Sequence, residues 1–299
     1  MINILLTGAT GFLGSHLLKS FLQKGYNCII LKRTTSNIER IKELIDKIKI
    51  FNVDGSSFSY SKLFEENKID IIVHTATQYG RENHSIPELL KTNLIFPLTL
   101  LEQGIKNNVS LFINTDSYFN KPNHSYNTLL DYSLSKKSLN MWLDYLSRNI
   151  KIINLRLEHI YGDNDNNDKF VQMMINQIAF EQKKEVKLTY GQQKRDFIFV
   201  DDVCAAYITV IEKYQQYYFN YLEFDVGTGK AITIAEFVSL IKNLSNSKSE
   251  LKFGSIPYRE DEIMISKADI NGLLNWGWGN RFITPKEGIC KILERKNNI

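Results

Sequence analysis

A glycine-rich turn near the start of the chain restricts the possible folds more than any other feature. Residues 8–14, GATGFLG, follow the apolar segment 2–6 and precede a run with helical periodicity. Glycine lets the backbone turn tightly and approach a ligand closely, and the N-terminus of the next helix offers free N–H groups and a positive dipole end. A strand, a glycine turn and a helix in this order predict a pyrophosphate site, and therefore a dinucleotide-binding protein.

The apolar segments farther along the chain predict a sheet. Strand candidates lie at residues 2–6, 28–31, 48–53, 69–74, 111–114 and 150–155, with helical segments between several of them. Buried strands alternating with helices predict an α/β fold with a Rossmann-type, doubly wound parallel sheet. In such a sheet the ligand lies beyond the carboxyl ends of the strands, so the glycine turn, Asp54 and residues 74–77 and 114–116 are expected to converge.

The regular alternation ends after about Tyr161, where the polar loop 162–168, GDNDNND, begins. This change predicts a smaller C-terminal α/β lobe that binds the substrate. The chain is expected to return to the sheet around residues 221–226. We therefore predict a Rossmann domain of residues 1–160 with about 190–227, and a substrate lobe of residues 161–189 and 228–299.

Composition excludes several classes of function. The formal net charge is +4 with no long basic run, so no nucleic-acid partner is predicted. No apolar stretch is long enough to span a bilayer and no signal peptide is recognised, so we expect no membrane partner and a cytoplasmic protein. Cys28, Cys204 and Cys290 lie far apart without a C-x-x-C motif, and no metal site is predicted.

Tyr132 and Lys136 form the second informative pattern, because residues four apart on a helix project from the same face. An ammonium beside a phenol favours the phenolate, so we expect a lowered pKa for Tyr132 and a role for it in proton transfer. The glycine turn upstream and the strand that ends near Thr115 favour this interpretation over an ordinary surface helix.

The glycine turn followed by the Tyr132-x-x-x-Lys136 pair resembles the motifs of the extended short-chain dehydrogenases/reductases. This family contains sugar-nucleotide epimerases, dehydratases and ketoreductases. The resemblance covers nearly the whole chain. It implies a catalytic group of Thr115, Tyr132 and Lys136. The residues predicted to contact the cofactor are Gly8, Thr10, Gly11, Phe12, Leu13, Gly14, Lys32, Arg33, Asp54, Thr75, Ala76, Thr77, Asn93, Tyr132 and Lys136.

Further family motifs lie in the second half of the chain. Residues 156–162, RLEHIYG, resemble R-x-x-N-x-Y-G with His159 in place of asparagine, and residues 195–202, RDFIFVDD, resemble R-D-F-x-x-V-x-D. The resemblance implies that Arg195, with Arg259, contacts the diphosphate of a sugar nucleotide. The predicted substrate-binding residues are Asp116, Ser117, His159, Lys169, Arg195 and Arg259.

The end of the second predicted strand indicates which cofactor is used. Enzymes that use NAD usually carry an acidic residue there, whereas Leu31 is followed by Lys32 and Arg33. A guanidinium binds a 2′-phosphate through charge-assisted hydrogen bonds, so we predict NADPH rather than NADH.

The residues after Thr115 bear on the reaction. Sugar-nucleotide dehydratases of this family carry an Asp-Glu pair there, whereas this chain has Asp116 and Ser117, so the acid/base pair is incomplete. Residues 114–119, 156–159 and 259–264 resemble the CDP-abequose synthase group of 4-ketoreductases. That group reduces the 4-keto group of a nucleotide-linked 3,6-dideoxyhexulose for bacterial O-antigen, and related reductases act on dTDP-4-keto-6-deoxyhexoses, so the nucleotide base stays open.

Two alternative functions, some of the substrate contacts and the oligomeric state also stay open. The alternatives are a nucleotide-sugar epimerase that uses NAD and a non-catalytic, dinucleotide-sensing binding protein. Tyr79, Arg81 and His84 follow a predicted strand and are candidates for substrate contact. The resemblance implies a homodimer formed through helices that begin near Ile86 and Tyr132.

Overall fold

The computed structural model describes residues 1–56, 58–80, 85–121, 129–279 and 281–297. Arg81 and His84 lie outside the described residues. The chain forms two compact units. The described residues of the first unit lie within Met1–Asn123, Asn127–Arg156 and Val210–Phe224, and those of the second lie within Leu157–Thr209 and Asp225–Ile299.

The strands are β1 (Asn3–Thr7), β2 (Asn27–Lys32), β3 (Lys49–Asn52), β4 (Ile71–His74), β5 (Leu111–Ser117), β6 (Lys151–Leu157), β7 (His159–Tyr161), β8 (Glu185–Lys187), β9 (Lys194–Arg195), β10 (Phe197–Phe199), β11 (Tyr221–Val226), β12 (Ile232–Thr233) and β13 (Glu250–Lys252).

The α-helices are α1 (Phe12–Gln23), α2 (Tyr60–Glu66), α3 (Ile86–Leu90), α4 (Phe96–Lys106), α5 (Leu130–Leu146), α6 (Phe170–Ile175), α7 (Val200–Lys213), α8 (Ile234–Leu244), α9 (Asn271–Asn275) and α10 (Pro285–Asn297). The 3₁₀ segments are Glu39–Lys47, Tyr118–Asn120 and Tyr214–Gln216. π-Helical turns at Lys91–Ile95 and Asn176–Phe180 follow α3 and α6 directly.

Seven strands form one sheet in the order β11-β6-β5-β4-β1-β2-β3. The pairs from β3 through β5 are parallel, with Thr7 level with both Leu31 and His74. Hydrogen bonds from Ile152 N to Asn220 O and from Glu158 N to Val226 O advance in the same direction, so β6 and β11 also run parallel. The predicted α/β Rossmann-type fold is confirmed, and each predicted strand lies within three residues of an observed one.

The sheet is stable because apolar side chains cover both of its faces. β1, β2 and β4 are nearly continuous apolar runs, as expected for strands buried between two helical layers. α1 buries Leu13, Leu17 and Phe21 on its inner stripe. The sheet order reverses beside β1, so the glycine turn after β1 lies at the switch point where ligands bind in such folds.

The second unit has short strand pairs and an aromatic core. β7 pairs with β10 and β8 with β13 in parallel, whereas β9 and β12 are antiparallel. The ring of Tyr161 lies edge-on to Phe199 at 5.3 Å between centroids. Phe197 and Phe237 stack at 3.9 Å. A capping box between Thr233 and Glu236 begins α8 by satisfying free N–H groups of its first turn.

No described helix combines the length and the apolar character needed to cross a bilayer. The described residues contain no group of three or more His, Cys, Asp or Glu side chains arranged to hold a metal ion. All three cysteines are free thiols, and Cys290 is less buried than Cys28 and Cys204.

Candidate active site

The glycine turn packs too closely for side chains at two of its positions. Gly8 has φ +71°, and a Cβ there would lie 2.7 Å from the backbone N of Ala76. A Cβ on Gly14 would lie 2.1 Å from the carbonyl oxygen of Gly8. Glycine at these positions therefore lets α1 begin directly against the turn.

Hydrogen bonds join the end of β1 to the end of β4 beneath this turn. The Thr7 hydroxyl lies 2.8 Å from Nδ1 of His74 and accepts from the backbone N–H of Thr75 at 3.2 Å and of Ala76 at 3.3 Å. Thr75 donates through its hydroxyl to the Thr7 carbonyl at 2.8 Å. His74 is fully buried, and burial lowers its pKa well below the ordinary value, so it is a neutral structural residue.

The N-terminus of α1 is suited to an anion. Its N-cap residue, Gly11, supplies no side-chain hydrogen bond, and the first turn holds no acidic residue. The free N–H groups and the dipole of this 12-residue helix therefore stay available to a phosphate. Thr10, Gly11 and Phe12 are partly exposed at this end.

The loop after β2 is held by Asp54. One oxygen of its carboxylate accepts from the Thr34 backbone N–H at 2.7 Å and from the Thr34 hydroxyl at 2.9 Å. These bonds lower the pKa of Asp54. Lys32 donates to the Arg33 carbonyl at 3.1 Å. Within the described ranges, the exposed Arg33 guanidinium makes no hydrogen bond or ion pair.

Asn93 lies fully buried in the π-helical turn Lys91–Ile95 and joins two segments of the site. Its amide accepts from the Gln78 N–H and donates to the Gln78 carbonyl, both at 2.8 Å. It also donates to the Ser135 hydroxyl on α5 at 3.0 Å. Asn93 therefore orders the loop after β4, which carries Thr75 and Thr77.

Lys136 on α5 contacts Thr115 at the end of β5. The Lys136 ammonium donates to the Thr115 carbonyl oxygen at 2.8 Å, and its side chain is only 2% exposed. Burial lowers the pKa of Lys136 to about 8, while the negative charge of Asp116 acts in the opposite direction. Thr115 is the only partly exposed residue of β5, so its side chain can reach a ligand.

The structure corrects one expectation about Tyr132. The sequence predicts a lowered phenol pKa, but burial raises the pKa of Tyr132 well above its ordinary value, and Tyr79 and Asp116 add to the effect. Hydrogen bonds with Ser117 and Thr77 act in the opposite direction. The Tyr79 ring stacks on that of Tyr132 at 5.0 Å. The expectation fails because the phenol is buried beneath another ring, while the ammonium is bound to a carbonyl.

Asp116 is buried beside this group, with both carboxylate oxygens bonded. Oδ1 accepts from the Ser117 N–H at 2.8 Å and from Asn120 Nδ2 at 2.7 Å. Oδ2 accepts from Asn140 Nδ2 at 2.6 Å and from Asn154 Nδ2 at 3.1 Å. The structure therefore places Asp116, Ser117, Thr115, Tyr132 and Lys136 together at the carboxyl end of β5.

Two predicted diphosphate ligands lie in the second unit. The Arg195 guanidinium, nearly buried, pairs with the Glu262 carboxylate and donates to the carbonyls of Lys194 and Ile263. Arg259 is exposed, and its carbonyl accepts from the Glu262 N–H at 3.2 Å. The turn that carries Arg259 therefore also carries the carboxylate that pairs with Arg195.

His159 and Lys169 are the other predicted substrate residues of this unit. His159 Nδ1 lies 3.7 Å from the Glu158 carboxylate, and burial lowers the pKa of His159. The Glu158 carboxylate also accepts from the Ser266 hydroxyl at 2.7 Å. Lys169 directly precedes α6 and is partly exposed.

Sequence reasoning missed the asparagines around Asp116. Asn140 lies one helical turn after Lys136, on the same face of α5. Asn114 and Asn154 interrupt the apolar runs of β5 and β6, and both are fully buried. A polar residue inside an apolar strand is the signal that would have identified them, since such a group needs a buried partner.

Two relatives match almost the whole chain. The CDP-abequose synthase of Salmonella muenchen is 35% identical, with 98% of this chain and 97% of the relative covered. The CDP-abequose synthase of Salmonella typhimurium is 33% identical over the same shares of the two chains.

Solved structures with low identity share the fold. The structure of the UDP-glucose 4-epimerase of Thermotoga maritima with UDP-glucose is 24% identical to this chain and has a TM-score of 0.85. The match covers 100% of both chains. MoeE5 with UDP-glucuronic acid and NAD is 21% identical, with a TM-score of 0.81 and 99% of each chain covered. The model of the NAD dependent epimerase/dehydratase family matches residues 4–220. With its glycine turn and its Tyr132–Lys136 pair, the chain therefore belongs to the NAD dependent epimerase/dehydratase family.

Proposed function

We propose that this enzyme uses NADPH to reduce the 4-keto group of a CDP- or dTDP-linked 6-deoxy- or 3,6-dideoxyhexulose, in the biosynthesis of a bacterial O-antigen sugar. The 33–35% identity to two CDP-abequose synthases supports this substrate class. The observation that favours a reductase with an exchangeable cofactor is the basic end of β2, where Lys32 and Arg33 stand in place of a carboxylate.

The residues at the carboxyl ends of β1, β2 and β4 fit a dinucleotide. Close packing at Gly8 and Gly14 and the uncapped N-terminus of α1 suit a pyrophosphate. The exposed guanidinium of Arg33 suits the 2′-phosphate that distinguishes NADPH from NADH. Asp54, whose carboxylate holds Thr34, orders the loop that carries Arg33. When bound, NADPH supplies the hydride that adds to the ketone carbon.

The catalytic residues handle the oxygen of the ketone. As negative charge develops there, Tyr132 gives its phenolic proton to that oxygen and Thr115 donates a hydrogen bond to it. Lys136, bonded to the Thr115 carbonyl at 2.8 Å, holds the end of β5 against α5 and supplies a positive charge beside the reacting groups. The ketone thereby becomes a hydroxyl group, and Tyr132 regains a proton from solvent.

Burial raises the pKa of Tyr132, so the ligand-free phenol keeps its proton and can donate it to the ketone oxygen. The basic end of β2, rather than this protonation state, favours a reductase over an epimerase. The alternative of a binding protein without activity loses support because Thr115, Tyr132 and Lys136 are all present.

Substrate contacts in the second unit are part of the same proposal. We assign Arg195 and Arg259 to the diphosphate, and His159 and Lys169 to the rest of the substrate. The carboxylate of Glu262 pairs with Arg195 in the ligand-free chain. A phosphate of the substrate would take the place of this carboxylate on the Arg195 guanidinium. Ser117 completes this set in the first unit.

The outer face of α5 supports a homodimer. Leu134, Met141, Trp142 and Tyr145 are exposed and follow a helical repeat, while the inner face of the same helix is buried. Ile86 at the start of α3 is also exposed. Apolar side chains on one face of a helix mark an interface, and we assign it to a second copy of this chain in the cytoplasm.

A substrate panel tests the proposed function. The protein is incubated with NADPH and CDP-, dTDP-, UDP- and GDP-linked 4-keto-6-deoxy sugars, and NMR identifies the product. We expect consumption of NADPH and a new C4 hydroxyl for a CDP- or dTDP-linked sugar. Product formed without added reductant, with NAD that copurifies, would support the epimerase alternative instead.

A further inference from the structure

The carboxylate of Asp116 is bonded on every side by N–H groups. Its donors, named here the amide cluster, are the Ser117 N–H and the side chains of Asn120, Asn140 and Asn154. A carboxyl group that only accepts hydrogen bonds is in its ionised form. Asp116 is 3% exposed, so it places a fixed negative charge inside the first unit.

The amide cluster comes from three different elements, so the carboxylate has little freedom to turn. Asn120 ends the 3₁₀ segment after β5, Asn140 lies on α5 and Asn154 lies inside β6. Asn154 is itself held, because it accepts from Asn114 Nδ2 at 2.7 Å and donates to Glu223 at 2.9 Å. A sugar hydroxyl would have to displace one of these donors to reach Asp116.

The fixed charge lies next to the proposed catalytic pair. Asp116 directly follows Thr115, whose carbonyl holds Lys136, and Asn140 lies one turn after Lys136 on α5. A nearby negative charge stabilises an ammonium and destabilises a phenolate. The charge of Asp116 accordingly acts to raise the pKa of both groups: it adds to the effect of burial on Tyr132 and opposes the larger effect of burial on Lys136.

We propose that Asp116 is a positioning residue, whose fixed negative charge keeps Lys136 as an ammonium and Tyr132 as a phenol without contact with the sugar. The proposal rests on the proposed function in taking Tyr132 and Lys136 as the catalytic pair. The hydrogen bonds of the amide cluster hold the charged carboxylate in place.

The other described titratable groups near these residues supply no unpaired negative charge beside Lys136 and Tyr132. Glu223 lies beyond Asn154, and its charge is paired with Arg156 at 3.2 Å. Tyr221 donates to Glu223 at 2.9 Å. Among the described residues, two further groups border the pair itself: the His74 ring is neutral beside Lys136, and Tyr79 stacks on Tyr132.

The direct test is an NMR titration of the ligand-free protein. The Lys136 side-chain signal is followed with pH in the wild type and in Asp116→Asn, which keeps the shape and removes the charge. We expect Lys136 to titrate at lower pH in Asp116→Asn. The matched control is Asp70→Asn, since Asp70 also accepts from Asn3 at 2.8 Å but lies before β4, at the opposite end of the sheet. This control should leave the Lys136 titration unchanged.

Kinetics separate a positioning role from a contact with the sugar. For Asp116→Asn we expect kcat to fall by about 10- to 100-fold, the effect of misplaced catalytic groups, with little change in the KM of the sugar. The alkaline limb of kcat/KM should move to lower pH, in step with the NMR titration. An unchanged Lys136 titration with a raised sugar KM would overturn the proposal in favour of a substrate contact.

A second variant keeps the test decisive if Asp116→Asn does not fold. Asp116→Ser also removes the charge, and its smaller hydroxyl side chain can still contact the amide cluster, so Lys136 should again titrate at lower pH. An unchanged titration in Asp116→Ser would overturn the proposal. The titration needs neither cofactor nor sugar, so it decides the role of Asp116 even if the wild type fails to reduce any 4-keto sugar.

Discussion

The ammonium of Lys136 is bonded to the carbonyl oxygen of Thr115 at 2.8 Å, and this bond joins α5 to the end of β5. It brings the Tyr132-x-x-x-Lys136 pattern of one element to the threonine of another. It also shows why the phenol of Tyr132 is not acidified in the ligand-free chain, since the ammonium is directed to a carbonyl while the phenol is buried beneath Tyr79.

Removal of the Tyr132 hydroxyl should abolish most of the reduction. For Tyr132→Phe we expect kcat to fall by about 10²- to 10⁴-fold, because the proton donor is lost. NADPH affinity should stay nearly intact, because the ring still stacks on Tyr79. Stopped-flow turnover and NADPH fluorescence titration measure the two effects. Near-normal turnover in this variant would refute the role of Tyr132.

Arg33 should decide between the two nicotinamide cofactors. Arg33→Ala removes a charge-assisted hydrogen bond worth about 1.5–3 kcal/mol, so NADPH affinity should fall by about 10- to 100-fold with NADH affinity unchanged. The dissociation constants are measured by calorimetry. Lys24→Ala, which removes a positive charge paired with Glu212, is the control and should change neither. Equal wild-type affinities for the two cofactors would remove the argument for NADPH.

Gly14 should tolerate no side chain. A Cβ would lie 2.1 Å from the Gly8 carbonyl, and backbone on both sides cannot yield easily, so we expect Gly14→Ala to cost about 1–3 kcal/mol of unfolding free energy and to weaken NADPH binding. Urea unfolding and cofactor titration measure both. Gly55→Ala, where the nearest atom is 3.3 Å away, is the milder comparison and should leave cofactor binding unchanged.

Stability should depend on pH through Lys136. Its pKa is about 8 in the folded chain against 10.5 as the ordinary value, so between these values the unfolded chain binds more protons and stability rises with pH. Below about pH 8 the buried charge costs its full penalty. We expect the stability of the wild type relative to Lys136→Met to rise from about pH 8 to about pH 9.5, below the ordinary tyrosine pKa. Urea unfolding at several pH values checks the slope, and a flat difference would contradict it.

A charge on the outer face of α5 should separate the proposed dimer. Met141 is 76% exposed, so Met141→Lys should leave the fold intact and yield monomers in analytical ultracentrifugation. Tyr218→Lys, at a position that is 99% exposed in the same unit, is the control and should stay dimeric. A wild type that sediments as a monomer at assay concentration would refute the dimer.

The sheet was predictable because its signals are local. β1, β2 and β4 are nearly continuous apolar runs, and the glycines that let α1 begin beside β1 follow directly in the sequence. The order of these elements then decides the topology, since parallel strands need helical crossovers. The prediction that Thr115, Tyr132 and Lys136 form one group came from the family resemblance.

The polar interior was not predictable, because it depends on contacts between distant residues. Asn154 bonds Asp116 and Glu223, which lie 38 and 69 residues away, and no local pattern pairs them. The raised pKa of Tyr132 has the same origin, since its burial is a tertiary effect. Asn93 likewise holds the loop at Gln78 through tertiary bonds.

Transfer of an isotope label tests the proposed reduction most directly. The protein is incubated with the CDP- or dTDP-linked 4-keto sugar and NADPH that carries deuterium at both hydrogen positions of the nicotinamide C4, and the product is analysed by NMR and mass spectrometry. We predict one deuterium at C4 of the sugar for each NADPH oxidised. A 4-hydroxy sugar without deuterium from either face of the labelled cofactor, or no oxidation of NADPH, would contradict the account.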